Sequence, residues 1–242
     1  SGPKVKFLGR LRTREGAIIR RYVDPKYVNE CVALLELENT NPVPTPSTKL
    51  LKSKEGEDDL STEDHSRCRT CVGKLLHCHE DYVGAQYTIK ELSRALTAPT
   101  DAEEARLKHC VLYLKGVRDT YRNIEPDAKH RRIEVVVDSD WAGSADRKST
   151  DCIVVKVLGA NVHCSVKTQG NLSTSSGQAE LGGIQRGAMF GVYVQNVWHA
   201  TYGETLPITV HTDSAAGKVM GTRRGCGKVR HLEIRELYIQ QL

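Results

Sequence analysis

The chain has 242 residues, 39% of them hydrophobic and 27% charged, a composition that suits one large globular domain or two small ones. No run approaches the roughly eighteen apolar residues of a membrane span, and the first thirty residues hold no apolar stretch ahead of a small-residue cleavage site, so an intracellular protein without a membrane partner is expected, in cytoplasm or nucleus. A net charge of +5 permits a polyanionic partner without demanding one, and eight cysteines without a secretory signal are expected to stay thiols.

Lys4 to Leu8 and Ala17 to Val23 read as short strands around a turn at Gly16. A helix follows, capped by Asp24 with Pro25 in its first position, and Val28, Cys31 and Leu35 keep helical spacing to about Leu37. Asn39 to Thr48 holds three prolines and is a loop. Lys52 to Asp64 is rich in charge, with Glu55, Glu57, Asp58, Asp59, Glu63 and Asp64, and without an apolar period it reads as a linker. Helical order returns at Arg67, where Cys68, Cys71, Leu75 and Cys78 share one face, and a second helix runs to about Leu96. Thr100 and Glu103 form a capping box for a third, lined by Leu107, Val111 and Leu114 and stopped at Gly116.

The period changes at Ile133. Val135, Val136 and Val137 form the continuous apolar run of a strand buried on both faces, which ends at Asp138. Cys152 to Leu158 and Val162 to Thr168 flank a turn at Gly159, Ala160 and Asn161 and read as a hairpin. Ser175 and Gln178 cap a long helix whose Leu181, Ile184, Ala188, Val194 and Trp198 face a sheet, and Ile208 to His211 is another short buried strand leading to Asp213. This order of elements gives an α/β fold, a mixed sheet with flanking helices preceded by a small α+β and helical connection module. The expected segments are a hairpin-plus-helix piece over 1–50, a charged linker over 51–65, the helical connection module over 66–130 and the sheet domain over 131–242.

Two apolar strands thus lead into acids, and the helix between them begins near Glu180. If the strands are parallel neighbours, Asp138 and Asp213 emerge at one carboxyl edge, with Glu180 above them on the inward face of its helix. Three converging carboxylates repel one another unless cations neutralise them, and hard oxygen ligands suit Mg2+ or Mn2+. Asp140 is the rival for the first ligand position, and Asp146 belongs to the turn before the hairpin.

The stretches VVVDSDWAGSADRKSTD, STSSGQAELGGI, ITVHTDSAAGKVMG and KVRHLEIREL resemble, in order and spacing, the signature blocks of the copia-type retrotransposon ribonuclease H domain. FLGRLRTREGAIIRRYVDPKYV, CVGKLL, KELSRALTAPT and VLYLKG similarly resemble the end of the reverse transcriptase and its connection to that domain. The resemblance implies a ribonuclease H-like sheet and metal-dependent cleavage of RNA in an RNA·DNA hybrid. By position it implies Asp138, Glu180 and Asp213 as catalytic ligands of Mg2+ or Mn2+, and a setting among other polyprotein parts or a host assembly. In the family a fourth acid lies beyond the block matched by RHLEIREL. The expected domain is therefore truncated at its C-terminus, with Glu233 as a substitute that reads more simply as a helical surface charge. A paired-aspartate turn is missing too, so polymerase activity by this chain alone is not expected.

Lys218, Arg223, Arg224, Lys228 and Arg230 lie close together with no acid between them, and with His231 they form the expected nucleic-acid contact. Ser176 and Gln178 could hydrogen-bond a ribose 2'-OH, although capping explains both. Cys68, Cys71, Cys78 and His79 have too short a spacer for a zinc finger and read as a core stripe. Trp141 reads as core packing beside the first strand. The competing class of function is a catalytically inactive, domesticated retroelement fragment that serves as a binding or structural subunit.

Overall fold

A computed structural model describes residues 4–47, 59–143, 146–223 and 239–240 of the chain. It divides into two units, residues 1–123 and 124–242.

The first unit opens with β1 (Lys4–Phe7), β2 (Arg10–Glu15) and β3 (Ile18–Tyr22), an antiparallel meander joined by β4 (Tyr121–Ile124) in the order β1-β2-β3-β4. The turn at Leu8 and Gly9 has φ of 48° and 74°, the positive values of a tight two-residue hairpin. β2 escapes a reading by apolar runs because arginines occupy its alternate positions. Helices α1 (Lys26–Leu34), α2 (Thr62–Cys78), α3 (Gln86–Arg94) and α4 (Asp101–Val117) follow. α1 ends three residues earlier than its apolar spacing suggests, at a positive-φ Glu36, yet Leu35 and Leu37 stay buried. α2 starts inside the expected linker because the Ser61 Oγ accepts the Asp64 N–H at 3.1 Å. Residues 51–58 of that linker lie outside the described residues. The Thr100–Glu103 capping box forms as read, and Gly116 stays inside α4.

Val28 and Cys31 of α1 share one core with Cys71 and Leu75 of α2, Ile89 of α3 and Leu107 and Cys110 of α4. The hairpin piece and the helical module, read as separate segments, are therefore one body. Buried Asp81 adds a polar tie, accepting the Arg10 Nε at 2.6 Å and a second bond from Arg21. Cys68, Cys71 and Cys78 are buried side chains of this core, and burial pushes the Cys68 thiol up to about 11 and that of Cys78 to about 12.

The second unit is a mixed sheet with the order β7-β6-β5-β8 and helices packed on it. β5 (Ile133–Asp140) pairs antiparallel with β6 (Thr150–Val157), β6 with β7 (Ala160–Thr168), and β5 runs parallel to β8 (Ile208–His211). α5 (Ser176–Tyr202) links β7 to β8, and α6 (Ala215–Thr222) follows β8. The expected three-residue turn is the pair Leu158 and Gly159, with φ of 51° and 77°, so both hairpin strands are longer than read. β5 corrects another expectation. It alternates, with Val135 and Val137 buried and Val136 39% exposed, because α5 covers only one of its faces. Glu233, expected on a helix, lies outside the described residues. Among the described residues no helix is long and apolar enough to cross a membrane.

α5 reaches the sheet through glycines. A Cβ on Gly187 would stand 2.4 Å from Val137 Cγ1, and one on Gly191 3.1 Å from Val135 and Ile208. Gly187→Ala is therefore expected to lower stability by about 1–3 kcal/mol through overpacking. Gly73→Ala in α2, where a Cβ meets nothing within 4 Å, should raise it by about 0.5–1 kcal/mol. Urea unfolding of the two variants checks both signs, and equal midpoints would contradict the close seating of α5.

Candidate metal centre

The ladder between β5 and β8 pairs Ile133 with Ile208 and ends at Val136 and His211. Asp138 and Asp213 each lie two positions past that last pair, so parallel register delivers both to the same end of the sheet. Asp138 is still within β5, cross-strand from Cys152, rather than directly after the strand as its sequence suggests. Glu180 comes from the second turn of α5. A side chain on Gly217 of α6 would meet the Glu180 Cβ at 3.1 Å, so the glycine lets α6 lie against the stem of this residue.

One carboxylate oxygen from each of Asp138, Glu180 and Asp213 lies within 4.8 Å of the others. Asp138 and Asp213 are exposed and Glu180 is half-buried. The Ser139 backbone N–H bonds the Glu180 carboxylate, whose Oε2 is buried without a hydrogen-bond partner. Burial, followed by repulsion from Asp138, Asp213 and Asp151, pushes Glu180 up to about 7 against the Ser139 bond, which acts in the opposite direction. A buried acceptor lacking a donor beside two further carboxylates fits a hard divalent cation, which takes oxygens at about 2.0–2.6 Å.

Asp140 does not join this cluster. Its carboxylate folds back on its own turn, so that a Cβ on Gly143 would lie 1.8 Å from Asp140 Oδ2. Asp146 serves the turn as expected, its Oδ1 accepting the Lys148 N–H at 3.2 Å. Trp141 is 48% exposed and donates its indole N–H to the Ser173 carbonyl at 2.9 Å, which overturns the core-packing expectation.

Ser175 caps α5 by accepting the Gln178 N–H. The Gln178 side chain reaches past the capping residue to accept from the Thr174 N–H at 2.9 Å and the Thr174 hydroxyl at 3.0 Å, so Gln178 is engaged within the protein, whereas Ser176 is exposed. Of the basic cluster, Lys218 is exposed on α6 and Arg223 follows that helix; Arg224, Lys228, Arg230, His231 and Glu233 lie outside the described residues.

A second acid escaped the sequence reading. Asp151 of β6 is buried, with Oδ1 accepting from Ser139 Oγ at 3.0 Å and Gln169 Nε2 at 2.5 Å, while Arg186 Nε stands 3.5 Å from Oδ2. Burial raises its pKa against these three partners. Its only signal in the sequence is an acid at the mouth of a β-branched run. Neither protein-family models nor curated proteins match the chain.

The raised pKa of Glu180 sets the sign of a pH effect. A carboxyl whose folded value exceeds its unfolded value of about 4.5 makes the folded state lose stability as pH rises from there toward 7. A bound cation removes that cost and releases the proton. Mg2+ or Mn2+ is expected to raise the Tm, and the apparent affinity to climb between pH 6 and 8, by at most about tenfold per unit below the pKa. Glu180→Gln should raise the metal-free Tm at pH 8 and abolish the response to the ion. Calorimetric scans with and without Mg2+ decide it, and a pH-independent response would contradict the assignment.

Proposed function

We propose that the chain carries a metal-dependent ribonuclease H-type endonuclease of copia-type retrotransposon origin, which cleaves the RNA strand of RNA·DNA hybrids. The observation that carries this reading is the convergence of Asp138, Glu180 and Asp213 within 4.8 Å at one sheet edge. These residues would hold Mg2+ or Mn2+, and when bound such ions activate a water and stabilise the leaving oxygen of a phosphodiester. The mixed sheet with α5 and α6 supports a ribonuclease H-like fold, and the N-terminal unit is read as the end of a reverse transcriptase with its connection.

The chain's own groups account for binding and orientation. Asp138 and Asp213 sit on neighbouring backbones whose spacing is fixed by the β5–β8 ladder, so their separation resists disturbance. Glu180 is oriented by the Ser139 N–H and by the packing of α6 on its stem. Lys218 is exposed on the helix that starts two residues after Asp213 and Arg223 follows that helix, which supports a role for both in holding a backbone phosphate. Ser176, exposed in the first turn of α5 and one turn before Glu180, is the better candidate for a ribose 2'-OH.

A second reading, a catalytically inactive retroelement fragment acting as a binding or structural subunit, is favoured by one observation. The acid cluster among the described residues has three carboxylates, whereas the family pattern has four.

Incubation with a labelled RNA·DNA hybrid and Mg2+ separates the two. Cleavage confined to the RNA strand is expected, with Asp138→Asn lowering the rate at least about 100-fold, a loss of roughly 2.7 kcal/mol of transition-state stabilisation. No cleavage with Mg2+ or Mn2+, together with stable capture by a protein assembly, would establish the subunit reading instead.

A further inference from the structure

The sheet of the second unit carries a pair of thiols that the acid cluster does not use. Cys152 stands on β6 opposite Val166 of β7, and Cys164 stands on β7 opposite Val154, so the two cysteines are diagonal neighbours on adjacent strands. Directly paired residues share a face, and the register of Val136 with Val154 puts both cysteines on the side of the sheet that α5 leaves uncovered. The Cys164 S–H donates to the Cys152 sulfur.

Accessibility separates this pair from the other cysteines. Among the described residues Cys152 is the one cysteine that is not buried, whereas Cys164 is 4% exposed. Cys31 and Cys71 of the first unit also bond through their thiols, but both are 0% exposed, so an oxidant from solvent reaches neither. In the second unit one sulfur is open to a reagent and the next lies within reach of the first. That is the arrangement of an entry thiol with a resolving thiol.

Diagonal positions of a ladder stand about 7–8 Å apart, slightly beyond the usual span of a disulfide, so closing the bond has to draw β6 and β7 together. The ladder gives at the right place. Its register shifts between Val155 and Lys156, next to the pair, and such irregularities let a strand bend. A link made under that pull is readily reduced. We infer that Cys152 and Cys164 form a reversible redox site that closes to a disulfide by exchange with a low-molecular-weight disulfide. The Cys152 sulfur bonds one sulfur of the reagent and the other leaves as a thiolate; the Cys164 sulfur then bonds Cys152 and expels the second. The two thiol protons go to the two leaving thiolates, so two electrons pass from the cysteines to the reagent. Cys152 lies cross-strand from Asp138, but neither sulfur belongs to the acid cluster, and the inference stands apart from the nuclease reading.

The test is equilibration of the full chain in mixtures of reduced and oxidised glutathione, then acid quenching, alkylation and mass spectrometry of tryptic peptides, since trypsin cuts after Lys156 between the two cysteines. Peptides joined through Cys152 and Cys164 are expected as the main product, separated again by dithiothreitol and still formed in Asp138→Asn. In Cys164→Ser the reaction should stop at its first step, raising the glutathione adduct on Cys152 at least about tenfold over the unaltered chain. Cys152→Ser should take up no glutathione at Cys164. Three results for the unaltered chain would overturn the inference: a persistent adduct on Cys152 without the link, no product at all, or a link made instead to the first unit's cysteines or to Cys226, which lies outside the described residues. That peptide map decides the matter even where a variant fails to fold, and whatever the outcome of the cleavage assay.

Discussion

Like-charge crowding at one end of a parallel strand pair is the constraint on which the second unit turns. Three carboxylate oxygens within 4.8 Å oppose folding in the absence of a cation, and burial together with that repulsion raises the pKa of Glu180. What holds them together is unconnected with their charge. The β5–β8 ladder fixes Asp138 and Asp213, and close seating of a glycine-lined helix on Val135 and Val137 brings Glu180 down to them. Stability built elsewhere in the sheet is spent on keeping these acids in place, the usual relation between a scaffold and a strained site.

The neighbouring acid, Asp151, shows the opposite solution to the same problem. It is more deeply buried than any of the three, yet the protein answers it from within, through Ser139, Gln169 and Arg186. Ser139 links the two systems, giving its hydroxyl to Asp151 and its backbone N–H to Glu180. One acid is thus answered by the fold, whereas the three of the cluster could hold a metal ion. The contrast is one of number: Asp151 meets Ser139, Gln169 and Arg186, whereas Glu180 meets the Ser139 N–H alone and keeps a buried oxygen without a partner.

In the N-terminal unit, buried Asp81 receives two arginines from the meander and belongs to the same body as the helical core. Its cysteines are packing groups, with burial raising the thiols of Cys68, Cys78 and Cys110. The helical face on which they stand was legible from spacing alone. The strands around them were not, because β2 and β4 are rich in polar residues and owe their conformation to ladder partners rather than to an apolar pattern.

By itself the amino-acid order determined the α/β class, the long helix with its Ser175 cap, the hairpin before it, and the three acids as a set, since each of these rests on local period, capping chemistry or position next to an apolar run. It misjudged Val136 and Trp141, because exposure depends on which face a helix covers, and it left Asp140 as a rival to Asp138, because two acids one residue apart are equivalent until a turn is built. Tertiary structure decided those points. It folded Asp140 onto its own turn and put Asp151 in the interior. The physical reason is the same throughout: local patterns fix what a segment becomes, whereas the surroundings of a charge are set by segments distant in the chain.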